Sequence, residues 1–198
     1  MIGASEYDAK AMDMVRSFDL GSIRDHYELV EPAHQLEIEN LTGRPNLYYQ
    51  WLHCLTKIIQ PKQVIELGAA AGMSTIMIAT ALPKSSKFYS VDIDPQSWRW
   101  MKYDYPQLTR ILSDDLEMSI WDGIDTLDTD LWFIDSLHTE EQLRKEVEAY
   151  SPMWKRGAVV VFDDISINEG MRKVWDELEY DKFENPLLHW GGFGLCVV

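Results

Sequence analysis

The chain predicts an α/β domain: a doubly wound, mostly parallel seven-stranded sheet ending in an antiparallel hairpin, with a helical cap in front of it. Three observations carry this. From residue 61 onward, short β-rich runs alternate with helix-compatible segments, the order that specifies a parallel sheet with right-handed crossovers. The first run, Val64-Ile65-Glu66-Leu67, turns through Gly68-Ala69-Ala70-Ala71-Gly72 into the helix-compatible Met73-Ser74-Thr75-Ile76. A strand, a tight turn of small residues and a helix is how such a sheet offers backbone N–H groups to a small ligand. The last two runs, 182–184 and 193–198, flank Asn185-Pro186 and Gly191-Gly192 with no helix between them, so they should pair antiparallel.

Taken in order, residues 1–60 read as a helical cap or lid. Helices are expected over 9–18 and 22–29, broken at Leu20-Gly21, with Pro32, Gly43 and Pro45 punctuating the stretch after the second. Asn46 is a candidate cap for a helix over 47–59 that places Leu47, Trp51, Leu55, Ile58 and Ile59 on one face. That helix either packs over a sheet edge or walls a substrate. Residues 61–198 form the core. Strands are expected over 64–67, 88–91, 109–112, 131–134 and 158–162, and helices over 73–82, 96–103, 116–120, 140–150 and 170–178. Cap and core together make one compact domain.

Composition narrows the function. The 198 residues are 46% hydrophobic and 12% aromatic, enough for a full core. Eighteen Lys and Arg stand against 33 Asp and Glu, a formal net charge of -15. Such a field repels phosphate backbones and anionic lipid, so neither nucleic acid nor a membrane is expected as partner. Cationic or neutral small ligands are compatible with it. Cys54 and Cys196 have no metal or redox spacing and read as buried thiols of a reducing cytoplasm. No apolar run is long enough to span a bilayer.

The first turn decides between ligands. A dinucleotide fingerprint needs G-x-G-x-x-G, whose middle glycine lets a pyrophosphate approach the backbone. Here the pattern is Glu66-x-Gly68-x-x-x-Gly72, with Ala70 where close approach would occur. Glu66 and the acids downstream would also repel a diphosphate. A ligand carrying an ammonium, a sulfonium and a ribose suits these charges better.

With these pieces in hand, residues 61–198 resemble a class I S-adenosylmethionine-dependent methyltransferase, similar within that class to catechol-type O-methyltransferases and to the methyltransferase-24 group. The fold so implied is Rossmann-like. The resemblance makes Glu66, Gly68, Ala69 and Gly72 the turn that receives the methionine part, with Glu66 taking its ammonium. Ser74 would place the carboxylate or simply cap the helix. In Ser90-Val91-Asp92-Ile93, Asp92 would accept both ribose hydroxyls and Ile93 would pack on the adenine. Of Asp114 and Asp115, Asp114 is the favoured acceptor for the adenine amino group, the alternative being a solvated pair capping the next helix. Asp94-Pro95 is expected to cap a helix.

The resemblance also makes Asp135 a site residue and His138 a candidate general base, although a lone loop histidine is often structural. Asp135, Asp163 and Asp164 should converge at one sheet edge, where such enzymes hold a magnesium-like divalent cation. The sequence departs from that pattern in having Asp164 in place of Asn and in lacking a lysine soon after Asp135. The expected activity is O-methylation of a small hydroxylated acceptor, phenolic or sugar-like, with Tyr48, Tyr49, Trp51 and Trp190 available at the mouth or as ordinary packing residues. Alternatives are a non-catalytic S-adenosylmethionine-binding protein and a nicotinamide-dependent oxidoreductase. The helical N-terminus could support a homodimer.

Overall fold

The computed structural model describes residues 2–28 and 46–198. The expected breaks at Pro32, Gly43 and Pro45, and the end of the helix expected over 22–29, lie outside them. The described elements are α1 (Ala4–Val15), a 3₁₀ segment (Leu20–His26), α2 (Tyr48–Ile59), β1 (Gln63–Leu67), α3 (Met73–Ala81), β2 (Lys87–Asp92), β3 (Leu108–Leu112), β4 (Leu131–Ile134), α4 (Glu140–Tyr150), β5 (Val159–Asp163), α5 (Glu169–Glu177), β6 (Asp181–Glu184) and β7 (Phe193–Val197). Further 3₁₀ turns lie at Met118–Trp121, Thr126–Asp128 and Ser151–Met153.

The seven strands form one sheet in the order β3-β2-β1-β4-β5-β7-β6. β1 to β5 run parallel, and β7 lies antiparallel between β5 and β6 with Asp163 opposite Phe193. This is the doubly wound sheet with a terminal hairpin that the sequence predicts. Its strand order reverses direction between β1 and β4, which opens a crevice at their carboxyl ends.

β1, β4, β5 and β7 are buried along their whole length, because helices cover both faces. Alternate residues face opposite layers. Val64, Leu131, Phe133, Val159 and Val161 pack with Ala4, Ala11, Trp51 and Leu55 of α1 and α2. Ile65, Trp132, Ile134, Val160 and Phe162 pack with Leu143, Tyr150, Met171 and Trp175 of α4 and α5. Cys54 and Cys196 are buried and unpaired. No helix among the described residues is long and apolar enough to cross a membrane.

Three local expectations are corrected. No helix forms over 96–103. There the backbone pairs with the glycine turn instead, Trp98 N–H to the Ala70 carbonyl at 2.9 Å and Trp100 N–H to that of Ala71 at 3.0 Å, and Trp98 adopts φ 62°. Tertiary hydrogen bonds override local propensity, so Asp94 caps no helix and accepts the Gln96 N–H at 2.9 Å. Asn46 does not cap α2, whose N-cap is Leu47 with no side-chain bond. It forms a bridge with His189.

Candidate active site

At the crevice between β1 and β4, a cavity of about 500 Å³ is lined by Gly68, Ala70, Asp92, Ile93, Asp114, Asp115, Asp135, Leu137 and Gln142 among others. Gly68 is required by two constraints. Its φ is 85°, and a Cβ there would lie 1.9 Å from the Asp135 carbonyl oxygen, so only glycine lets the two strand tips meet. Ile93, expected against an adenine, is 70% exposed at the cavity.

The carboxylates divide into two settings. Asp92 Oδ2 accepts the backbone N–H groups of Ala69 at 2.8 Å and Ala70 at 2.7 Å, and Oδ1 accepts that of Asp94 at 2.8 Å. Burial works against its charge, but these amides hold its pKa below the ordinary value. Glu66, expected on the ammonium, lies behind the cavity with no exposure. Its Oε2 accepts hydroxyl hydrogens from Thr75 at 2.6 Å and Ser90 at 2.5 Å. Burial pushes its pKa up to about 7 against those bonds and one from Ser74. Glu66 and Ser74 therefore tie α3 to β1 and β2 rather than lining the cavity, and Gly72, at φ 95°, is the N-cap of α3. Of the adenine candidates, Asp114 is exposed and accepts the Leu116 N–H at 2.9 Å. Asp115, 8% exposed, is the buried one.

Beyond Asp135, carboxylates and imidazoles alternate. His138 bridges Asp135, Nε2 to Oδ1 at 3.1 Å, and Asp164, Nδ1 to Oδ2 at 2.9 Å. His189 Nδ1 lies 2.7 Å from Asp163 Oδ1 and 3.2 Å from Asp164 Oδ1. Hydrogen bonds to Asp135 and Asp164 raise His138 to about 10. Burial opposes protonation of His189, but Asp163 and Asp164 raise it to about 10 as well. Burial, then the neighbouring Asp163, pushes Asp135 up to about 8. Asp164 is held down at about 2 by the two imidazoles, against its burial. Asp164 also carries strain, with φ 54°. Its Oδ1 is buried without a hydrogen bond, and a Cβ on Gly191 would lie 1.8 Å from it.

His189 escaped the sequence reading. It lies 26 residues from Asp163 and arrives through the hairpin: β7 starts opposite the end of β5, so the loop before β7 falls at the same edge as Asp163. The Asn46 bridge and the Leu47 N–H bond to the Leu188 carbonyl, 2.7 Å, hold that loop. Buried Asp8 of α1 adds to this, accepting from Trp51 Nε1 at 3.0 Å and Asn185 Nδ2 at 2.9 Å. Trp51 is thus core, whereas Trp190 is 53% exposed beside His189. Asp163 and Asp164 of the expected trio stand together with His189. Carboxylate and imidazole atoms of Asp163, Asp164 and His189 lie within 4.8 Å of one another, and Asp135 connects to them through His138.

Comparison with known proteins shows the family. A family model for a methyltransferase domain, methyltransferase-24, matches residues 65–165. The chain belongs to that family. A catechol O-methyltransferase of Niastella koreensis is 40% identical over 47 residues, 24% of this chain. The matched stretch spans 21% of that relative's length. The crystal structure of a methyltransferase from Geobacter sulfurreducens superposes with a TM-score of 0.60 at 17% identity, covering 89% of this chain and 95% of that one. An O-methyltransferase of Streptomyces achromogenes involved in tomaymycin synthesis, solved with S-adenosylmethionine, gives 0.55 at 19% identity over 98% and 89% of the two chains. At these identities the structural likeness is one of fold, and it matches the methyltransferase-24 membership.

Proposed function

We propose that the chain transfers the methyl group of S-adenosylmethionine to a hydroxyl of a small molecule. The observation that carries this reading is the cavity at the β1–β4 switch point, whose lining holds four aspartates besides Asp94 and no Lys or Arg. A sulfonium and an ammonium are favoured there and a diphosphate is not. Asp92 would take the ribose, Ile93 and Asp115 the adenine, and the turn at Gly68 the methionine part.

The transfer is an in-line displacement, and what the protein supplies is chiefly position. The acceptor oxygen bonds to the methyl carbon, the carbon–sulfur bond breaks, and sulfur keeps the electron pair as a neutral thioether. The hydroxyl proton would pass to His138 in its neutral form, with Nε2 released from Asp135 to face the acceptor and Nδ1 still held by Asp164. Trp190 and Leu137, both exposed beside the cluster, suit the flank of a flat or sugar-like acceptor.

The donor set also fits a divalent cation: two carboxylates and an imidazole, with Oδ1 of Asp164 buried and, among the described residues, met only by the His189 ring at 3.2 Å. Held by Asp163, Asp164 and His189, such a cation would offset the charge of Asp164, ease His138 toward its neutral form and acidify a nearby hydroxyl. Calorimetry with S-adenosylmethionine, followed by product assays on small phenols and sugars, tests the proposal. Binding without turnover on any acceptor would favour a non-catalytic cofactor-binding protein. Binding of NAD in place of S-adenosylmethionine would overturn the reading. Loss of activity with EDTA but not with His138→Ala would assign proton removal to the cation, and the reverse would assign it to the histidine.

A further inference from the structure

At the adenine end of the cavity two carboxyl groups are in hydrogen-bond contact, Asp115 in the wall and Glu146 behind it. Glu146 of α4 is 1% exposed and Asp115, in the loop after β3, is 8% exposed. Gln142 Nε2 donates to both, at 2.9 Å to Asp115 Oδ1 and 2.9 Å to Glu146 Oε1. Ser136 Oγ also donates to Glu146 Oε1, and Tyr150 donates to the Asp115 carbonyl.

No lysine, arginine or histidine among the described residues bonds either acid; the nearby Lys145 pairs outward with Glu141 at 2.7 Å. The titratable groups nearest the pair are Asp114 from the same loop and Tyr150 from α4, both neutral or negative. His138 and Asp163 line a small void with Glu146, but the His138 ring is engaged by Asp135 and Asp164. Two touching carboxylates without a cation cannot both remain ionised out of water.

We propose that Asp115 and Glu146 share a single proton, with Glu146 as the neutral partner donating into Asp115, and that this proton fixes Asp115 so that its free oxygen reads the adenine amino group. Gln142 and the Glu146 proton would occupy Asp115 on the protein side, leaving Oδ2 toward the cavity. Glu146 is then a positioning residue for the cofactor. This rests on the reading of the cavity as an S-adenosylmethionine site. Burial and then the Asp115 carboxylate push Glu146 up to about 8 from its ordinary 4.5, in line with the geometry. A carboxyl raised in this way stabilises the fold most below 4.5 and loses that contribution as pH rises through about 8.

Thermal unfolding of the wild type and Glu146→Gln across pH tests the pair, with calorimetry of S-adenosylhomocysteine binding alongside. The amide keeps a donor toward Asp115 at every pH, so Glu146→Gln should melt above the wild type at high pH and show no such gain at low pH. The imidazole cluster is common to both proteins and cancels in the difference. Wild-type affinity should fall roughly tenfold one pH unit above the Glu146 titration, while Glu146→Gln changes by less than about twofold. Identical pH profiles for the two proteins would overturn the shared proton. If Glu146→Gln does not fold, isotope-edited NMR of wild-type glutamate carboxyl carbons decides: a neutral glutamate at neutral pH supports the pair, and its absence overturns it. Should S-adenosylhomocysteine bind at no pH, the cofactor reading fails, while the melting and NMR results still judge the proton.

Discussion

The two halves of the crevice neutralise their acids by different means. On the β1–β2 side, Asp92 is held by three backbone amides, two of them from the glycine turn, dipoles that do not titrate. On the β4–β5 side, Asp135, Asp163 and Asp164 are held by His138 and His189, charges that come and go with pH. The first arrangement suits a fixed cradle for a cofactor. The second suits proton transfer and exchange for a cation, since a divalent ion can replace imidazolium charge.

The largest effect should come from breaking the point where the halves meet. Gly68→Val forces a side chain into φ 85° and against the Asp135 carbonyl, and should cost about 3 kcal/mol or more in chemical denaturation. Next is His189→Ala, which leaves Asp163 and Asp164, 4% and 7% exposed at their side chains, without a cation they share. Breaking a buried pair of this kind costs about 3 kcal/mol.

That contrast can be sharpened by pH. His138 and His189 are raised from 6.5 to about 10, so their stabilisation is complete below 6.5 and is lost as pH rises through about 10. Metal-free wild type should lose melting temperature over that window, and His189→Ala should lose less. On the amide-held side, Asp92→Ala should weaken S-adenosylmethionine binding roughly 10- to 100-fold by calorimetry, the worth of charge-assisted bonds, with little pH dependence. The smallest effect is expected from Ser74→Ala, which touches Glu66 behind the cavity. It should cost about 1 kcal/mol of stability and leave cofactor affinity unchanged.

What was legible in the sequence divides along the same line. The β1 turn, Asp92 and the alternation of strands and helices are local, and local spacing reveals local geometry. All seven strands lie within a residue or two of their expected bounds; in β1, β4, β5 and β7 this is because apolar runs buried on both faces leave few alternatives. The helix expected over 96–103 failed because its amides serve the glycine turn, a contact no window of sequence contains. His189 needed the hairpin register to be followed to its end, where β7 meets β5. Glu146 left a fainter trace: with Leu143 and Tyr150 it falls on the buried face of α4, a charge in an apolar stripe. The partners of Glu66 could not be read locally either, because the Thr75 and Ser90 hydroxyls that bond its Oε2 sit on two other elements.

In the proposed function an aspartate-lined crevice between β1 and β4 receives a cationic methyl donor. Isothermal titration of the wild-type protein with S-adenosylmethionine tests it directly. Saturable one-site heat is expected, abolished or weakened in Asp92→Ala and undiminished in Ser74→Ala. A wild-type protein that gives no heat with either S-adenosylmethionine or S-adenosylhomocysteine would contradict it.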